Sequence, residues 1–160
     1  MPGAMTAALT LALAAALMAV TIVDLRTYRI PDWLTLPLVA TGLWAAYAES
    51  PDQLQLHGLA ALLGFLAFWL VAEFYRRARN IDGLGLGDAK LLAAIGAWLG
   101  PFYIAPTVLS GAVLALCAVL ILRLVGHRIS WQSRLPFGPF LGAAFFFFWC
   151  FGLSRWSSML

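Results

Sequence analysis

Several runs of roughly 16 to 23 residues in this chain carry almost no charge, and a helix of that length can cross the hydrocarbon layer of a bilayer. Of its 160 residues, 63% are hydrophobic and 11% charged, with a mean hydropathy of +0.91. An ordinary soluble domain is nearer half apolar and a quarter charged. A soluble fold is therefore excluded, and the chain reads as an all-α, polytopic membrane protein.

Six transmembrane helices are expected: Met5 to Val23, Trp33 to about Tyr47, Leu54 to Tyr75, Asp88 to Leu99, Tyr103 to Leu124 and Phe140 to Leu153. The first run starts without Lys or Arg, so it is read as a helix rather than a cleaved signal. Pro31 disfavours helix at Ile30, Asp32 is placed to cap the second helix, and Pro37 is placed to kink it. Glu49, Ser50, Pro51 and Asp52 read as a short acidic loop. The fourth helix is short for a full span, and Gly100-Pro101 ends it. There is no internal repeat or low-complexity linker, so residues 1–160 are expected to form a single domain.

Charge sets the orientation. With the amino terminus outside, Arg26, Arg29, Arg76, Arg77, Arg79, Lys90, Arg123, Arg128 and Arg134 fall in or beside inner loops, leaving Arg155 outside. Both termini are therefore expected on the outer side. The formal net charge of +3 is scattered over short loops, which gives no nucleic-acid footprint. Cys117 and Cys150 lie inside apolar runs without the paired spacing of a zinc site. They are expected to be small buried hydrophobes. No metal and no cofactor is expected. His57 falls on the outer side and His127 in an inner loop, neither with a metal partner at ligand spacing.

Chemistry concentrates in Gly83-Leu84-Gly85-Leu86-Gly87-Asp88-Ala89-Lys90-Leu91-Leu92. A carboxylate at the edge of a long apolar segment is costly and marks a functional site by default. Asp24, at the far end of the first span, is the other acid abutting an apolar run in this way. In the six-helix topology both acids reach the inner membrane face. Opposite helix-dipole ends beside them would push the two toward different protonation states, as an acid–base pair needs. One would accept a proton from water while the other polarises a scissile carbonyl. The alternation of Gly83, Gly85 and Gly87 would leave one backbone edge bare for an extended peptide; the same spacing equally suits a flexible loop before a helix.

The string from Gly85 to Gly100, built on Gly-Leu-Gly-Asp-Ala-Lys-Leu-Leu, resembles the type IV prepilin peptidases, a family of Gly-x-Gly-Asp membrane aspartic proteases. Val23-Asp24-Leu25-Arg26 through Ile30-Pro31-Asp32-Trp33-Leu34-Thr35 resembles that family's first catalytic segment, and Leu135-Pro136-Phe137-Gly138-Pro139-Phe140 the run before its last helix. The resemblance implies a multi-pass enzyme of the bacterial inner membrane that removes basic leaders from prepilins or pseudopilins at the cytoplasmic face. It implies Asp24 and Asp88 as the catalytic pair. Longer members carry a cytosolic region with Cys-x-x-Cys pairs and methylate the new amino terminus. This chain has no such cysteines, so peptidase without methyltransferase is expected, as in the short members serving tight-adherence pili. The catalytic half of a longer member would read the same way.

Among the lesser candidates, Lys90 could tune Asp88 or touch the substrate, or be an interfacial cation reaching for headgroups. Asp82 and Glu73 could receive a basic leader, or pair with Arg76, Arg77 or Arg79. The Phe145 to Trp149 run reads as lipid-facing or packing surface. A non-catalytic scaffold or small transporter, with inner-face acids binding an ion or partner, is the reading from another class. The presenilin type fits less well, because the loop before the last helix lacks Pro-Ala-Leu.

Overall fold

The computed structural model describes residues 3–79, 85–126 and 136–157. Asp82, Gly83, His127, Arg128 and Arg134 lie outside them. The described residues form helices α1 (Gly3–Thr27), α2 (Asp32–Glu49), α3 (Pro51–Arg79), α4 (Leu86–Leu99), α5 (Ile104–Leu124) and α6 (Gly138–Ser157), with a 3-10 turn at Pro101–Tyr103 before α5. Gly3–Thr27, Pro51–Arg77 and Pro101–Leu124 are long and apolar enough to cross a membrane, and Gly138–Gly152 is a shorter apolar stretch. Large apolar side chains such as Leu11, Phe74, Leu109, Leu116 and Leu124 face outward. Water would not tolerate so continuous an apolar exterior, whereas lipid does. The chain is an all-helical, multi-spanning membrane protein.

Several helix ends differ from the sequence expectation, each for a local reason. α1 runs one turn past Val23 and takes in Asp24; the Thr27 hydroxyl satisfies the Val23 carbonyl at 2.9 Å, and Tyr28, at φ +53°, stops the helix. α2 starts at Asp32, with the extended Pro31 in the capping position, so Asp32 is not the cap. It stands in the first turn, where its charge suits the helix dipole. The expected acidic loop shrinks to Ser50, because Pro51 opens α3: proline is pre-shaped for a first helical position and lacks an N–H that would go unused there. Pro139 lies in the first turn of α6 for the same reason.

α4 lies at the centre. Its 14 residues span about 21 Å, short of the ~30 Å hydrocarbon layer, and it packs against α2, α3, α5 and α6. Ala89, Leu91, Leu92, Ala94, Ile95, Gly96, Ala97 and Trp98 are all buried. Small residues let the α3 and α4 backbones meet: a methyl group on Gly96 would lie 2.5 Å from the Ala60 carbonyl oxygen, and one on Gly64 would lie 2.8 Å from that of Leu92. Gly42 of α2 leaves room for the Trp98 indole, which donates to the Leu38 carbonyl at 2.7 Å. At the far end of α4, His57 Nδ1 lies 2.9 Å from the Ala97 carbonyl.

Phe145 is buried edge-on to Trp98, whereas Phe147 faces outward, so the aromatic run serves both packing and lipid. Cys117 and Cys150 are exposed, contrary to expectation. An apolar run in a spanning helix has a lipid face as well as a protein face, and both cysteines lie on the former.

Candidate active site

Four helix ends converge at one end of the bundle: the last turn of α1 and the first turns of α2, α4 and α6. Asp24 is 5% exposed, in the last turn of α1. Its Oδ2 accepts the backbone N–H of Gly138 at 3.0 Å. That N–H belongs to the first residue of α6 and has no carbonyl partner within its own helix, so the carboxylate supplies one. Asp24 thus meets the positive end of α6 as well as the negative end of its own helix. The simple opposition of dipole ends expected for the two acids is lost.

Asp88 lies in the first turn of α4, its N–H bonded to the Gly85 carbonyl at 3.1 Å. Gly85 faces the Asp88 side chain, and a methyl group there would lie 3.6 Å from Oδ2. The half-buried Asp88 carboxyl stands at the same end of the bundle as Asp24.

Ile30 joins the two halves. It is 7% exposed and packs against both Gly87, the neighbour of Asp88, and Gly138, the partner of Asp24. Neither Ile30 nor Gly138 was singled out as a site residue from sequence. The available signal was a glycine flanked by Pro136 and Pro139 ahead of an apolar run, which marks a helix start with free N–H groups.

Of the other candidates, Gly85 and Gly87 border the site. Lys90 forms an ion pair with Asp32, joining the first turns of α4 and α2. Glu73 pairs with Arg76 and, at 2.6 Å, with Arg77. Among the described residues no three His, Cys, Asp or Glu side chains gather as a metal site.

Residues 11–122 match the model of the type IV leader peptidase family. The chain belongs to that family. The matched stretch contains Asp24 and Asp88 and stops short of Gly138. Over 143 residues the chain is 41% identical to a prepilin leader peptidase/N-methyltransferase of Burkholderia pseudomallei (strain 1026b), covering 85% of this chain and 45% of that protein. A namesake from Dickeya chrysanthemi is 38% identical over 76% of this chain and 43% of its own length. Leader peptidase HopD of Escherichia coli is 36% identical, with 86% of this chain and 84% of HopD covered. The chain thus spans less than half the length of the first two relatives. No solved structure matches it.

Proposed function

We propose that this chain is a membrane aspartic endopeptidase that removes the leader from type IV prepilins or pseudopilins at the cytoplasmic face of the inner membrane. One observation supports the reading: Asp24 and Asp88, far apart in sequence, stand at the same end of the bundle, bridged by Ile30, which packs against both Gly87 and Gly138. Six spans with both termini outside fit the placement of Arg26, Arg29, Arg76 and Arg77 near that end, and residues 1–160 act as one catalytic unit.

In the reaction, one carboxylate takes a proton from water as its oxygen adds to the scissile carbonyl carbon. The other, protonated, hydrogen-bonds the carbonyl oxygen. Collapse of the tetrahedral adduct breaks the C–N bond, and the proton taken from water leaves on the new amine. Backbone at Gly85, extended just ahead of α4, holds the substrate extended, since a helical peptide bond is shielded. Asp82 and Gly83 are proposed to contact the substrate as well. The proposal covers the peptidase step only; N-methyl transfer stays with the relatives whose names include it.

The test is to reconstitute the chain in vesicles with a peptide carrying a basic leader, a glycine and an apolar segment, and to identify products by mass. A single cut after the glycine is expected. An intact peptide, with the protein folded, would instead favour the scaffold or transporter reading.

A further inference from the structure

The α1–α2 connector lies against the site, and its contacts go beyond closing a turn. Tyr28 takes a left-handed conformation at φ +53°, and Pro31 is extended, which leaves Ile30 directed inward. The Ile30 side chain then reaches two glycines on different helices. A methyl group on Gly87 would lie 2.8 Å from Ile30 Cβ and 3.1 Å from its backbone nitrogen; one on Gly138 would lie 3.1 Å from Cδ1. Gly87 precedes Asp88 in the chain, and Gly138 donates to Asp24. Ile30 thus touches the chain neighbour of one acid and the hydrogen-bond donor of the other.

Two residues beyond Ile30 stands Asp32, and two beyond Asp88 stands Lys90; these form the ion pair. Their side chains are 59% and 29% exposed, and so open a pair adds little to stability. It does join the connector to the first turn of α4.

We propose that Ile30, held by the Asp32–Lys90 pair, is the positioning residue that sets the separation of Asp24 and Asp88, and that Lys90 acts through it rather than on the substrate. The inference rests on the peptidase reading of those two acids.

Kinetics and thermal unfolding of variants of this chain with the peptide substrate test it. Lys90→Met and Asp32→Asn are each expected to lower kcat about tenfold, with KM within about twofold and Tm unchanged, because small misplacements of reacting groups are costly. The double variant should be no worse than either single, and the swap Asp32→Lys with Lys90→Asp should recover most of the rate. Ile30→Ala should lose kcat in the same way, and the milder Ile30→Val should retain most of it, which guards against a folding defect. A rise in KM at constant kcat for Lys90→Met would place Lys90 on the substrate and overturn the proposal. Additive losses, or no recovery in the swap, would overturn it too.

If the wild-type chain does not cleave the peptide, the peptidase reading fails, and a separate measurement still decides positioning. Cysteines replacing Asp24 and Asp88, in a chain with Cys117 and Cys150 changed to Ala, are joined with a short bismaleimide. A yield lowered by Ile30→Ala and by Lys90→Met supports positioning; an unchanged yield refutes it.

Discussion

Asp24 keeps its carboxylate in an apolar setting by accepting the Gly138 N–H, so the smallest informative change is at Gly138. Alanine retains the N–H but brings a methyl group 2.7 Å from Asp24 Oδ2 and 3.1 Å from Ile30 Cδ1. Gly138→Ala is expected to lower kcat about tenfold or more by pushing the carboxylate aside, as an ångström-scale shift of a reacting group does. Steady-state kinetics of the purified variant check this. The two acids were legible in the sequence because a charge beside an apolar run is expensive and needs a reason. Gly138 and Ile30 were not legible as site residues, because their roles come from neighbours on other helices; Gly138 and Asp24 lie 114 positions apart. The Lys90–Asp32 pair was not legible for the same reason: the partners lie 58 positions apart.

Among the helices, α4 carries both Asp88 and the tightest packing in the bundle. Gly96→Ala would set a methyl group 2.5 Å from the Ala60 carbonyl oxygen, backbone against backbone, where nothing flexible can yield. Overpacking of that kind costs about 1–3 kcal/mol, so a clear fall in Tm is expected in detergent. Gly58→Ala on α3 meets nothing within 4 Å and should leave Tm level or slightly raised. Equal losses at the two positions would contradict close α3–α4 packing. The helices themselves were legible from charge-free runs, including the short α4. Their ends were less so, since Pro51 and Pro139 punctuate the sequence but sit inside first turns, where proline is at home.

For the molecule as a whole, four helix ends converge at one end of the bundle, and the proposed function puts that end on the cytoplasmic side, with Arg26, Arg29, Arg76 and Arg77. Arg29 and Phe102 are exposed near opposite ends of the bundle, Phe102 at 84%. With Cys117 and Cys150 replaced by Ala, an impermeant thiol reagent added from the periplasm should label Phe102→Cys and not Arg29→Cys. The reverse pattern would invert the topology. The all-helical membrane class was plain from composition, whereas the lipid exposure of the two native cysteines depends on helix rotation, which an apolar run does not encode.

The claim on which the rest depends is that Asp24 and Asp88 act as one unit on one amide bond. Its most direct test is the rate of leader cleavage by Asp24→Asn, Asp88→Asn and the double variant, each shown to be folded. Members of a catalytic unit are non-additive, so each single change is expected to drop the rate to the same floor as the double. A single variant that cleaves well above that floor would show that its aspartate is not part of the reaction.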